Sequence, residues 1–489
     1  MPLYLAILLG YSVFLVAAGL WLGRHVRETS DFFVARRQLG AGLIFSTVLA
    51  ANIGAGSAVG ASGLAYQQGL SAWWWNGSAG IGSLLLAFWI GPRVWRQASK
   101  NGFLTAGDLV EHHFGRTVRG VVSGMLWFAT LSILAGQLIG IAWILNVVAG
   151  TPKWLGCLIG GGLLTTYFAA GGLLGAAWVN VVQLTVKLAG FALALPFVIS
   201  NAGGLDTILR AAPGATTDPG YGAFWNGTTS IGFVVLMVPA FVSSPGLLQK
   251  IYGAKSGRVV RIGIGANAVM LMLFGFVPAL LGMAARLHHP GLAQELALPT
   301  LLVKDLPVGV GGLLLAAIFS AEVSAADAVL FMLSTSLSQD LYRRFINPSA
   351  RDSQVLGVAR LAAVAGGGLG ILVAIVTPTI VGALSFFYAM LGATVLVPVL
   401  VATHAHVNRR REVLASILAG AAAVVVVQLW GGGRPGSLWT PATVGVLSAG
   451  ATYLVGVVIN HSRSDYPAIR RRGRSVSEAA PRTKPTAKS

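Results

Sequence analysis

Apolar runs of eighteen or more residues alternate along this chain with short loops rich in Arg and Lys. A run of that length and composition suits a helix crossing a bilayer core of about 30 Å. Thirteen such spans are read, at about 3–22, 41–65, 71–91, 120–148, 154–171, 174–199, 227–248, 262–285, 309–338, 357–377, 380–403, 412–430 and 439–460. The second carries Leu49-Ala50-Ala51-Asn52-Ile53-Gly54-Ala55-Gly56-Ser57-Ala58-Val59-Gly60. Each of its glycines weakens a helix by about 1 kcal/mol relative to alanine. Unwound backbone at membrane depth is tolerated only where protein buries it or a watery cavity meets it. The pattern therefore predicts a binding site at this break. The seventh span carries Val238-Pro239-Ala240-Phe241-Val242-Ser243-Ser244-Pro245-Gly246, an apolar helix broken by prolines. Each broken helix opens a block of five spans, and an odd block length gives the two blocks opposite topology. Interrupted helices at matching places in inverted halves point to a secondary transporter with its site at the midplane.

Composition narrows the class. The chain is 55% hydrophobic and 10% charged, a balance foreign to a soluble domain. One cysteine, Cys157, excludes an internal disulfide and a cysteine metal cluster. The net charge of +19 sits in the loops, so it reads as topology rather than nucleic-acid binding. With the N-terminus outside, inner segments hold 28 Lys and Arg and outer ones 5, as the positive-inside rule requires. Span 3–22 lacks a small-residue cleavage site and is flanked by Arg24 and Arg27, so it reads as a transmembrane helix and not a removed signal. The expected layout is a first helix and inner loop (1–40), a first five-helix repeat (41–200), an outer loop (201–226), a second inverted repeat (227–404), two further helices (405–461) and a disordered basic cytoplasmic tail (462–489) that meets anionic lipid. No nucleophile–base pair or metal-ligand spacing occurs, so neither an enzyme site nor an organic cofactor is expected. Nothing points to an obligatory protein partner. The expected location is a bacterial-type cytoplasmic membrane.

Three charges fall deep within spans: Lys187, Glu322 and Asp327. A charge at a helix centre costs about 2.5–3.5 kcal/mol on insertion scales, and it usually faces the bundle interior and pairs. Helical spacing puts Ala317, Ser320, Ser324 and Asp327 on one stripe, with Glu322 roughly opposite. Asn180, Gln183 and Lys187 share another face. For the solute the candidates are Asn52, Gly54 and Ser57 at the first break, Gln137 in span 120–148, and Ser243 and Ser244 at the second. Freed amides at a half-helix N-terminus favour an anionic group. Gln137 reads equally as an interhelical hydrogen bond. Trp73-Trp74-Trp75-Asn76 reads as an interfacial anchor. Phe386-Phe387-Tyr388 reads as a lid or as packing, and His404 and His406 as solvated loop residues.

Several stretches together resemble the sodium:solute symporters, the group of the sodium/glucose cotransporters and bacterial proline permeases. They are Thr29-Ser30-Asp31-Phe32-Phe33-Val34-Ala35-Arg36-Arg37-Gln38-Leu39-Gly40, Ala50-Ala51-Asn52-Ile53, Pro245-Gly246-Leu247-Leu248-Gln249-Lys250-Ile251-Tyr252-Gly253-Ala254-Lys255-Ser256, Ala316-Ala317-Ile318-Phe319-Ser320 and Ser338-Gln339-Asp340-Leu341-Tyr342. The resemblance implies an all-α polytopic protein with a LeuT-like 5+5 inverted repeat. It also implies sodium held by the carbonyls of Ala50, Ile53 and Ala317 and the hydroxyl of Ser320, a hard-oxygen set suited to a hard cation. Two departures stand out. Ala321 occupies the place of a second hydroxyl, and Trp178-Val179-Asn180 replaces a Trp-Thr-Asp triplet. Three readings follow. Lys187 pairs with Asp327 or Glu322 and takes over part of the ion's work, giving proton-coupled or uncoupled transport. Alternatively, sodium binds with Ser324 or Asp327 supplying the missing oxygen. The third is a static ion pair that only locks packing. The expected function is sodium-coupled symport of a small polar organic solute, with a non-transporting solute sensor as a further alternative.

Overall fold

The computed structural model describes residues 2–23, 37–210, 221–404, 409–431 and 438–464. Arg24, Arg27, residues 29–36, His406 and the tail beyond 464 lie outside this set. Among the described residues the chain is helical, and extended backbone pairs only in a single bridge between Leu39 and Ala254. In chain order the helices are α1 (Pro2–Gly23), α2 (Ala41–Asn52), α3 (Ala61–Gln68), α4 (Trp73–Leu85), α5 (Gly91–Asn101), α6 (Ala106–Phe114), α7 (Arg116–Ala149), α8 (Lys153–Asn201) and α9 (Leu205–Arg210). There follow α10 (Gly227–Ser243), α11 (Pro245–Tyr252), α12 (Gly257–His288), α13 (Ala297–Lys304), α14 (Val308–Thr335), α15 (Asp352–Val376), α16 (Ile380–His404), α17 (Arg410–Leu429) and α18 (Pro441–Ser464). Each of the thirteen spans read from hydropathy falls on one or more of these helices. Nine stretches among the described residues are long and apolar enough to cross a membrane, ten if the bent pair at the first break counts as one.

Local chemistry marks where helices stop. Thr105 caps α6 with a reciprocal box to Asp108, satisfying amides that the first turn leaves open. Ser256 caps α12 through the Val259 amide. Gly115 separates α6 from α7 at φ 83°, a left-handed conformation that glycine adopts without a Cβ penalty. Close helix contact rests on small residues, as membrane packing does. A Cβ at Gly282 in α12 would lie 2.1 Å from the Ser62 carbonyl of α3, so only glycine lets these two helices approach.

Helical backbone runs unbroken from Lys153 to Asn201. A straight helix of that length would reach about 74 Å. Its ends nevertheless meet one face. Lys153 donates to the Thr377 carbonyl at the end of α15, and Asn201 donates to the Asp305 carbonyl just before α14. Because α14 continues through a π-wound stretch (Ser336–Ile346) and a short loop then leads into α15, those two points share a side. The run is therefore not one straight rod between its ends. Its second arm packs on α14, and α7 packs on α14 and α16. Around this buried centre α15, α17 and α18 turn large apolar side chains outward, including Leu361, Leu372, Leu447 and Leu454, as helices bordered by lipid do.

Candidate functional site

The first break is a sharp bend. Helix α2 ends at Asn52, a π-wound turn (Gly56–Gly60) leads into α3, and the axis swings by 62°. The backbone groups released there are satisfied by side chains, as buried polar groups must be. The Gly54 amide donates to Ser57 Oγ at 2.9 Å, and the Ala55 amide to Gln137 Oε1 at 2.8 Å. Ser57 Oγ donates to the Asn52 carbonyl at 2.7 Å, and Asn76 Nδ2 to the Ser57 carbonyl at 2.9 Å. These amides are therefore spoken for and do not form the open anion seat that the sequence suggests.

The carbonyl side of the break has a different partner. Lys187 is fully buried. Its Nζ donates to the Ala50 carbonyl at 2.7 Å, the Ile53 carbonyl at 3.1 Å and Ser324 Oγ at 3.0 Å. Ser324 spends its own hydrogen on the Ala50 carbonyl at 2.7 Å, so it can only accept from Lys187. Three acceptors need three N–H donors, which only the protonated amine supplies. The negative end of the α2 dipole, where the last carbonyls lack intrahelical partners, favours a cation at this point. The expected ion pair of Lys187 with Asp327 or Glu322 is not formed. Two backbone carbonyls at the helix end and the Ser324 hydroxyl take the three hydrogens instead. Glu322 is fully buried on another face of α14, with its carboxyl against α7, 2.9 Å from where a Cβ on Gly140 would stand.

Both breaks open onto one cavity of about 100 Å³, measured as the space open to water centres. Asn52, Gly54, Ser57, Gln137, Ser244 and Asp327 reach its wall, with Trp75, Phe241, Phe387 and Tyr388 supplying an aromatic lining. The second break differs from the sequence reading. Helix α10 runs through Pro239 to Ser243, and the interruption is Ser244 alone, at ψ 117°. Proline at 245 forces this, because it bars helical backbone from the residue before it. Ser243 turns its hydroxyl back to the Pro239 carbonyl at 2.7 Å and is no part of the cavity lining.

Of the expected cation ligands, Ala50, Ile53 and Ser324 gather on Lys187. Ser320 is engaged elsewhere, accepting from Tyr11 at 2.8 Å and donating to the Gln183 carbonyl at 3.4 Å. Ala317 packs its methyl toward Gly190 of α8. The Asn180 side chain lies outside the described set. Three cavity residues escaped sequence reading: Trp75, Asn76 and Lys250. Trp75 and Asn76, taken as interfacial, are buried, one in the cavity wall and the other bracing the break. Lys250, counted with the inner loops, is buried on α11 and lines the cavity, its Nζ donating to the Thr47 carbonyl of α2 at 2.6 Å. Its place one turn past Pro245 was the available signal.

One end of the bundle is closed by charge. Arg119 of α7 meets Asp108 at 2.8 Å and Glu111 at 2.8 Å on α6, and Asp340 at 2.6 Å beyond α14. Arg344 also reaches Glu111 at 2.8 Å. Burial pushes the Glu111 carboxyl up, but the Arg344 and Arg119 guanidiniums outweigh it and hold the group below the ordinary range. With a lowered pKa, its contribution is full above the unfolded value and fades only as pH falls through the folded one. Arg37 adds a strap to the Phe103 carbonyl at 2.6 Å. Arg119→Ala leaves Asp340 buried without its cation and is expected to lower stability by about 3 kcal/mol, read as a fall in the thermal midpoint of the detergent-solubilised protein.

The sequence model described as Sodium:solute symporter family matches residues 32–420. The chain is 24% identical over 427 residues to the high-affinity proline transporter PutP of Bacillus subtilis (strain 168), covering 83% of this chain and 88% of that one. It is 25% identical over 397 residues to the sodium/glucose cotransporter of Vibrio parahaemolyticus, covering 72% of this chain and 71% of that one. Its fold matches a Na+-coupled sialic acid symporter, solved in a substrate-bound outward-open state, at a TM-score of 0.77 and 18% identity, over 93% of this chain and 98% of that one.

Proposed function

Because the chain belongs to the sodium:solute symporter family, we propose that it is a secondary transporter moving a small polar organic solute across a cytoplasmic membrane by alternating access about its two broken helices. The carrying observation is that both interruptions, at Ile53–Ala55 and at Ser244, open onto one buried cavity. The broken helices head two five-span blocks, 41–200 and 227–404, of opposite topology, in a thirteen-span layout with the N-terminus outside and the basic tail in the cytoplasm. Accumulation of solute against its gradient in proteoliposomes tests this. Saturable binding without accumulation would make the chain a sensor instead.

Sodium as the coupling ion is supported by the family and by the names of its members. A second reading is favoured by one observation in this chain. The oxygens of Ala50, Ile53 and Ser324 already hold the Lys187 ammonium, and Ala321 offers no further hydroxyl. On this reading the cation between α2 and α14 is a side chain. Loss of its proton removes one of three donors and loosens the break, so coupling passes through a proton or is absent. Uptake driven by an imposed sodium gradient at equal pH, compared with uptake driven by a proton gradient without sodium, separates the two.

A further inference from the structure

The two buried lysines of this site differ in how fully they are used. Lys187 spends all three hydrogens on fixed protein oxygens. Lys250 spends one, on the Thr47 carbonyl at 2.6 Å, so two of its N–H groups have no protein acceptor among the described residues. No carboxylate among those residues lies within ion-pair distance of it. Lys250 is nonetheless 91% buried, since its relative exposure is 9%, and it stands in the cavity wall. A buried ammonium without a counter-charge is costly unless something supplies one. The Gly54 and Ala55 amides of the first break are not the anion seat, because Ser57 and Gln137 already accept from them.

We propose that the solute carries a carboxylate-type acid group that docks on the Lys250 ammonium and uses its two spare hydrogens. This rests on the transporter reading and names the class of solute for that site. The rest of the cavity shapes the remainder of the molecule. Trp75, Phe241 and Phe387 make an apolar wall, which suits a hydrocarbon or aromatic body. Asp327 is the other charged residue of the lining. A second acid group on the solute would find no second cation among the described residues of this lining, so a monoacid is preferred over a diacid. The charge-assisted bond to Lys250 distinguishes an acid from its neutral amide, which has the same shape.

The test uses the purified full chain and matched probes: benzoate, phenylacetate, lactate and proline, each beside its primary amide, with succinate as a diacid and glucose as a neutral polyol. Saturable thermal stabilisation by at least one monoacid is expected, with its amide at least tenfold weaker. Lys250→Met should reduce the acid to the level of the amide, and Lys250→Arg should restore the difference. Equal stabilisation by acid and amide, stabilisation by glucose alone, no response to any acid, or an unchanged acid response in Lys250→Met would each overturn the proposal. The wild-type acid–amide comparison stands even if a variant fails to fold. An acid that binds through Lys250 but is not accumulated in proteoliposomes would sink the transporter reading and leave this site intact.

Discussion

On the reading in which the Lys187 ammonium fills the cation seat, Lys187→Ala is expected to gain a sodium response at that seat that the wild type lacks. Removing the side chain opens a space beside the carbonyls of Ala50 and Ile53 and the hydroxyl of Ser324. That oxygen set suits a small hard cation. The vacated site then binds sodium, and a ligand that binds only the folded state adds about 2.7 kcal/mol at a hundredfold excess over Kd. The thermal midpoint of Lys187→Ala should therefore rise in sodium chloride and stay flat in choline chloride. Lys187→Met fills the same volume without donors, so it should lose stability and gain no sodium response. A Lys187→Ala protein that ignores sodium would show that these oxygens do not make a cation seat.

Gly54→Ala is the second large effect. A Cβ at residue 54 would lie 2.4 Å from the Ala325 methyl of α14 and 2.7 Å from Gln137 Oε1. Neither neighbour can retreat cheaply. Ala325 belongs to a helix packed on α8, and Gln137 is held by the Ala55 amide. Overpacking of this kind costs about 1–3 kcal/mol or more, and here it also displaces the carbonyls that hold Lys187. Stability and transport should both fall. The double variant Gly54→Ala/Ala325→Gly removes the closest clash and should recover much of the loss, the coupling expected of residues in contact. Additive losses in the double variant would place the cause elsewhere.

How much of this was legible beforehand depended on the kind of signal. Hydropathy located the apolar helices and both broken ones, because length and glycine or proline content are local properties. Helical spacing placed Ser324 and Asp327 on one stripe and Lys187 on a facing helix. Spacing carries no distances, however, and it named a carboxylate as the partner of Lys187 where the α2 carbonyls proved to be. A free helix end is a cation site that no residue letter marks. Lys250 was missed for a related reason. Its neighbours in sequence are those of a loop entry, and only the fold bends α11 back over α2. Ser243 was overvalued because a hydroxyl beside a break is as readily spent on its own helix, here on Pro239.

On the second reading of the site, a lysine and not a free ion fills the cation seat between α2 and α14. Equilibrium binding of sodium-22 to the purified wild-type chain tests it most directly, with Ser324→Ala and Lys187→Ala measured alongside. The expected result is no wild-type binding that depends on Ser324, and a saturable site in Lys187→Ala. Saturable wild-type binding that Ser324→Ala abolishes would contradict the claim and return the seat to sodium.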